Sequence, residues 1–171
     1  MNIAIVGATG NVGRKTLEVL EKKGLTLGNL YLVASSKSAG KKIHFQGKDI
    51  VVSELENFDF SKVKIAFFAA GGKISEKFAE KAAKHCLVID NSSFFRMDPD
   101  VPLIVPQVNS DALNNIKKNI IANPNCSTAQ LVIALKPLHD LFVIKRIVVS
   151  TYQSVSGCLL YTSPSPRDTA I

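Results

Sequence analysis

The 171-residue sequence has no tryptophan, three cysteines and two methionines. It contains no apolar run near the ~18 residues that a membrane span needs. The cysteines are Cys86, Cys126 and Cys158. They form neither a C-x-x-C pair nor a cluster with histidine, which argues against a disulfide framework, a structural zinc site or any other metal centre. Free thiols fit a reducing, cytoplasmic compartment. The N-terminus has no basic leader and no small-residue cleavage site, which argues against secretion. Aromatic residues make up 7% of the chain, and none interleaves with the lysines as a single-strand nucleic-acid binder requires. What is present is ordinary globular material, 46% hydrophobic and 20% charged, enough for one domain or one domain and part of another. Lys and Arg number 21 against 14 Asp and Glu, a net charge of +7. The excess is dispersed over predicted helix faces and loops. It reads as a solvated basic surface, or as a surface attractive to small anionic metabolites.

Residues 3–6 (Ile-Ala-Ile-Val) form a short apolar run ending in glycine, the pattern of a buried strand. Asn11–Lys23 has helical spacing and stops at Gly24. Strands are predicted at 29–34, 63–68, 87–89, 103–105 and 119–122, with a hairpin around Gln46-Gly47 inside 43–52. A second amphipathic helix is predicted over 73–85. Alternating strands and helices imply parallel βαβ units and a doubly wound α/β sheet over residues 1–123. Residues 124–157 read as the beginning of a second domain. It has a helix at 127–142, with Leu131, Leu135, Leu138 and Leu141 on its apolar side and Pro137 as a point of kinking. A strand is predicted at 144–155. Residues 158–171, with two prolines and no periodicity, read as an irregular tail.

Polar and glycine-rich stretches fall just after the strands, where ligands sit in such sheets. Gly7-Ala-Thr-Gly-Asn-Val-Gly13 lies between a predicted strand and a predicted helix. Gly7 permits a tight turn, Gly10 lets backbone approach a pyrophosphate, and Gly13 packs the helix against the sheet. The helix start at Asn11 and Val12 offers N–H groups to phosphate oxygens. The second strand ends in Ser35-Ser36-Lys37-Ser38, without the carboxylate that holds the ribose of NAD. Hydroxyls and a cation at Ser36, Lys37 and Ser38 fit a 2′-phosphate, so NADP is the expected cofactor. The competing reading is a polar loop with a solvated lysine.

Cys126, in Asn123-Pro-Asn-Cys-Ser-Thr128, sits between a predicted strand and a predicted helix. A thiolate is the nucleophile, and a helix N-terminus favours it. One pKa unit is worth about 1.4 kcal/mol, whereas a helix end supplies roughly 0.3–1 kcal/mol. The helix alone is therefore insufficient, and a base or cation must assist. His44, His85 and His139 are the histidines in hand, none in a recognisable catalytic context. Cys126 thus reads as a nucleophile or as a small packed hydrophobe. Cys86 opens an apolar strand and reads as core, and Cys158 has no assignable role. Arg96, in a loop past a strand, suits a phosphate or carboxylate, or else pairs with Asp98 or Asp100. Gln153 is placed to bond a substrate carbonyl, or is an exposed strand residue.

Together these pieces resemble aspartate-semialdehyde dehydrogenase. The matching motifs are Gly7–Gly13, Ala34-Ser-Ser-Lys-Ser-Ala-Gly40, Phe67-Phe-Ala-Ala-Gly-Gly72, Asp90-Asn-Ser-Ser-Phe-Phe-Arg96, Val105-Pro-Gln-Val-Asn109, Asn123–Thr128 and Tyr152-Gln-Ser-Val-Ser-Gly157, in family order. The resemblance implies a Rossmann-type nucleotide domain followed by an α+β catalytic and dimerisation domain. It implies NADP contacts at Gly7, Thr9, Gly10, Asn11, Val12, Ser35, Ser36, Lys37, Ser38, Ala70, Gly71, Ser156 and Gly157. It makes Cys126 the acyl-thioester nucleophile, with Arg96, Asn125 and Gln153 as substrate contacts. The implied reaction is reductive dephosphorylation of 4-aspartyl phosphate to aspartate 4-semialdehyde, which feeds lysine, methionine, threonine and isoleucine synthesis. Many members carry arginine where this chain has Lys37, which keeps the charge and loses the bidentate fork. Full-length members are expected to be homodimers. From Cys158 the family pattern stops, so the chain is expected to be an N-terminal portion with an unrelated tail, lacking the general base and unable to turn over alone. A reductase of N-acetyl-γ-glutamyl phosphate is the nearest alternative, but its nucleophile loop reads Gly-Cys-Tyr-Pro-Thr. A non-catalytic NADP-binding regulator is the other.

Overall fold

Ile3–Val6 form β1, a four-residue strand buried along its whole length. The computed structural model describes residues 1–152. β1 leads through the glycine turn into α1, Asn11–Lys22, where Gly13 and Leu17 face the sheet. Gly24 ends this segment at φ +59°, a conformation that an L side chain resists. β2 is Leu30–Ala34, β3 Lys42–Phe45 and β4 Lys48–Glu54. β3 and β4 pair antiparallel around Gln46 at φ +46° and Gly47 at φ +78°. Both central residues with positive φ make the tight hairpin turn expected there. β5, Ile65–Phe68, leads into α2, Gly72–Ala83, and then β6, Leu87–Asp90. The short helix α3, Pro106–Asn109, precedes β7, Ile120–Ala122, and α4 follows over Cys126–Phe142.

The strands order as β3-β4-β2-β1-β5-β6-β7, all parallel except the edge strand β3. Alternation divides the core between the two faces. Ile5, Leu32 and Ala34 pack with Leu17 of α1 on one side. Ala4, Val6, Val33, Ala66 and Phe68 pack with Phe78, Ala79 and Ala82 of α2 on the other. Helices on both faces of a mostly parallel sheet make this a doubly wound, Rossmann-like α/β domain. The register aligns the carboxyl ends, because Val6 lies beside Val33 and Phe68, Phe68 beside Asp90, and Asp90 beside Ala122. The loops after these strands therefore share one edge.

The chain divides into two compact units at Pro124|Asn125. In the second unit, α4 has no fully buried residue and runs through Pro137. Leu131 and Leu135 are half-buried, whereas Leu138 and Leu141 are exposed.

Two expectations are corrected. Leu103–Val105 is not a strand: Pro102 and Pro106 bracket it, Pro106 starts α3, and a single bridge joins Leu103 to Ala122. The described part of the 144–155 strand is not a strand either. Residues 144–152 have no regular structure, and Ile147, Val148 and Val149 are exposed. Alternating sequence becomes a strand only where a ladder partner exists, and the described residues of this unit hold none. Residues 153–155 lie outside the described part.

Candidate functional site

The glycine turn is shaped by close backbone approach. Gly7 has φ +87°, and a Cβ there would stand 2.8 Å from the Ala69 backbone of the neighbouring loop. A Cβ on Gly13 would stand 2.2 Å from the Gly7 carbonyl oxygen. These two glycines are explained by the protein's own packing. Gly10 is different: an added Cβ would meet only the Gly7 carbonyl oxygen, at 3.3 Å, and Gly10 is exposed. Its open side, together with the first N–H groups of α1 at Asn11 and Val12, fits a pyrophosphate.

Neighbouring loops complete the edge. Ser35 to Ser38 follow β2, with Ser36–Ser38 in one turn of 3₁₀ helix. Lys37 is exposed. Thr9 Oγ1 donates to Ser38 Oγ at 3.3 Å, which joins the glycine turn to this loop. Ala70 and Gly71 follow β5, and Gly71 caps α2 at φ +88° with open space where a Cβ would project. The loop after β2 carries no carboxylate. Glu54 lies one strand away, beside Ala34 at the end of β4, where it accepts from Asn57 at 2.9 Å. The residues present fit a dinucleotide across the switch point at β1.

Arg96 lies further along the same edge, in a 3₁₀ turn after β6. Its Nε donates to the Asn123 carbonyl at 2.9 Å and its Nη2 to the Asn91 carbonyl at 3.3 Å. Asn123 Nδ2 donates to Asn91 Oδ1, which closes the ring of contacts. Asp98 and Asp100 hold Lys118 at 2.9 Å and Lys117 at 3.0 Å. Beneath this loop, Asp90 is fully buried. Its carboxylate accepts from Ser75 Oγ at 2.6 Å, Ser92 Oγ at 2.7 Å and the Ser92 amide at 3.1 Å. Ser92 Oγ in turn accepts from the Phe94 amide at 3.2 Å. A buried carboxylate persists only with such donors. This cluster fixes the loop that carries Asn91 and Arg96. Motif reading missed Asp90, Ser75 and Asn123 as supports, because the contacts join residues from α2, β6 and the loop after β7.

In the second unit, Cys126 is the first residue of α4 and is exposed. Asn125 caps the helix. Its Oδ1 accepts from the Ser127 amide at 3.0 Å, Ser127 Oγ at 2.8 Å and the Cys126 thiol at 3.7 Å. Cys86 is the opposite case. Burial at 6% exposure pushes its thiol pKa up to about 11, and Sγ donates to the Ala82 carbonyl at 3.4 Å. It is core, as expected.

The histidines sit elsewhere. His139 is on α4, about 20 Å of helical rise beyond Cys126. His44 pairs with Asp49 at 2.9 Å near the amino end of β4. His85 follows α2, at the amino end of β6. Gln153, Ser156 and Gly157 lie outside the described residues. Among the described residues no His, Cys, Asp and Glu cluster could hold a metal ion, and no helix is long and apolar enough to cross a membrane.

Residues 2–116 match the family described as semialdehyde dehydrogenase, NAD binding domain. Aspartate-semialdehyde dehydrogenase of Shewanella violacea is 50% identical over 158 residues, covering 91% of this chain and 47% of that protein. The chain therefore spans about half the length of the curated relatives it matches. The crystal structure of aspartate semialdehyde dehydrogenase II from Vibrio cholerae superposes with a TM-score of 0.88 at 52% identity, covering 91% of this chain and 47% of that one. A further structure of that enzyme is a complex with ASA, at a TM-score of 0.79 and 51% identity over 81% of this chain and 46% of that one. The Candida albicans enzyme with NADP superposes at 0.67 and 29% identity, covering 84% of this chain and 48% of that one. On these matches and on the fold, the chain belongs to the semialdehyde dehydrogenase family and carries that family's NAD-binding domain.

Proposed function

We propose that this chain is the nucleotide-binding and thiol-bearing part of an NADP-dependent aspartate-semialdehyde dehydrogenase, which converts 4-aspartyl phosphate to aspartate 4-semialdehyde. The observation that carries this reading is the exposed Cys126 thiol at the first residue of α4, capped by Asn125. It stands in a chain whose relatives bear that enzyme's name. The NADP and ASA complexes of related structures support the choice of cofactor and substrate.

Cys126 acts as thiolate. Its sulfur attacks the acyl carbon, a C–S bond forms, the bond from that carbon to the phosphate oxygen breaks, and phosphate leaves. Arg96, steadied by the Asn91 and Asn123 carbonyls, offers its guanidinium to the phosphate. Asn125 and Gln153 orient the acyl group. The turn Gly7–Val12, the loop Ser35–Ser38, Ala70, Gly71, Ser156 and Gly157 hold the nucleotide. Bound there, NADPH supplies the hydride that reduces the acyl group to the aldehyde and returns the thiol. No histidine of the first unit stands at the carboxyl edge, and His139 is too far along α4 to serve Cys126 as base. We therefore expect the 171-residue chain by itself to be acylated slowly and not to turn over. Homodimer formation and cytoplasmic residence in full-length members belong to the same proposal.

Incubation with 4-aspartyl phosphate tests it. Intact-mass analysis is expected to find a single hydroxylamine-labile adduct that maps to Cys126 and is lost in Cys126→Ser. No adduct, or an adduct on another residue, would overturn the thioester reading and favour a nucleotide-binding regulator.

A further inference from the structure

Arg14 stands in the first turn of α1, and its Nε donates to the Thr9 carbonyl at 3.1 Å. Two turns along the helix, Glu21 accepts from the Gln46 amide at 2.8 Å, in the hairpin beyond β2. Residues seven apart lie within about 20° of each other around a helix. Arg14 and Glu21 therefore share the face of α1 that looks toward β2 and the loop following it. Thr9, which Arg14 holds through its carbonyl, reaches Ser38 of that loop through its hydroxyl.

The guanidinium is not neutralised from its own helix. Its i+4 neighbour Glu18 commits Oε2 to Lys15 at 2.7 Å and Oε1 to Lys22 at 2.8 Å. These pairs hold the Glu18 carboxyl near a pKa of about 2. Arg14 makes no ion pair among the described residues, and it is exposed. With Nε spent on the Thr9 carbonyl, the two Nη groups remain for a planar, bidentate contact. Lys37 brings a second cation from the loop after β2, but only as a point charge. Two cations with the hydroxyls of Ser36 and Ser38 suit a phosphate monoester. NADP differs from NAD by such a group on its ribose.

We propose that Arg14 is a specificity residue for NADP, gripping the 2′-phosphate from α1 and supplying the fork that Lys37 lacks. This rests on the nucleotide reading above.

The 171-residue chain and its Arg14→Gln and Arg14→Lys variants are to be titrated with NADP⁺, NAD⁺ and adenosine 2′,5′-bisphosphate, with thermal melts as the control for folding. Arg14→Gln is expected to weaken NADP⁺ and the bisphosphate roughly ten- to a hundredfold, the worth of a charge-assisted pair, while NAD⁺ changes by less than about twofold. Arg14→Lys should fall between. Equal losses for NADP⁺ and NAD⁺ would mean that Arg14 acts through the Thr9 turn alone, and would overturn the proposal, as would no loss for either. A wild-type chain that binds NAD⁺ as tightly as NADP⁺ would sink the NADP reading itself, whatever the variants do.

Discussion

Replacing Gly13 by valine is expected to cost at least ~3 kcal/mol of stability and to abolish nucleotide binding. A Cβ at this position would stand 2.2 Å from the Gly7 carbonyl oxygen and 2.8 Å from the Ala8 Cα. Both obstacles are backbone, so no side chain can swing aside. Relief requires α1 to move off β1, which opens the packing of Leu17 against Ile5 and Leu32. The same movement withdraws the first turn of α1 from the glycine loop. Urea denaturation followed by circular dichroism measures the loss. Gly24→Ala is the contrast, because open space surrounds that position and only its φ of +59° resists a side chain. That strain costs roughly 1 kcal/mol. A Gly13→Val chain within about 1 kcal/mol of wild type would contradict the packing account of the glycine turn.

Cys86 is expected to be alkylated far more slowly than Cys126 at pH 7, because burial both raises its thiol pKa and denies the reagent access. Burial holds the Cys86 thiol at a pKa of about 11. Its thiolate fraction at neutral pH is then on the order of one in ten thousand, against a few per cent for an ordinary thiol. Lack of access slows it further, whereas Cys126 is exposed. The linkage has a definite sign. Cys86 favours the folded state below its ordinary value of 9.0, and that advantage is lost as the pH rises toward 11. Iodoacetamide labelling followed by peptide mapping reads each cysteine separately. Comparable rates at Cys86 and Cys126 in the folded chain would contradict the assignment of one to the core and the other to the chemistry.

Local rules made much of the fold legible. Ile3–Val6 reads as a buried strand because four apolar residues end at a glycine, and Gly24 stops α1 because glycine adopts the positive φ of that turn without strain. Gln46-Gly47 announces the hairpin by its turn chemistry. The two failures share a cause. Leu103–Val105 and Ile144–Tyr152 have strand-like composition, but strands depend on partners that no local pattern specifies. Prolines limit the first to a single bridge, and the second has no partner among the described residues of its unit. At the site, residue types were readable and their supports were not. Arg96 was visible as an arginine past a strand, yet the Asn91 and Asn123 carbonyls that hold it come from two separate loops. Asp90 joins Ser75 across α2 in the same way. No motif singles out Arg14, and only the contacts of Glu18 and Glu21 fix its face and its charge balance.

The central claim is that Cys126 is the nucleophile of a chain that binds its nucleotide through the glycine turn. The most direct measurement is the rate of Cys126 alkylation by iodoacetamide across an NADP⁺ titration, with free N-acetylcysteine in the same reaction as the reference. The account predicts that the Cys126 rate changes in proportion to nucleotide occupancy, with the midpoint at the independently measured dissociation constant, while the reference rate stays constant. A Cys126 rate that is unaltered when NADP⁺ is fully bound would contradict it.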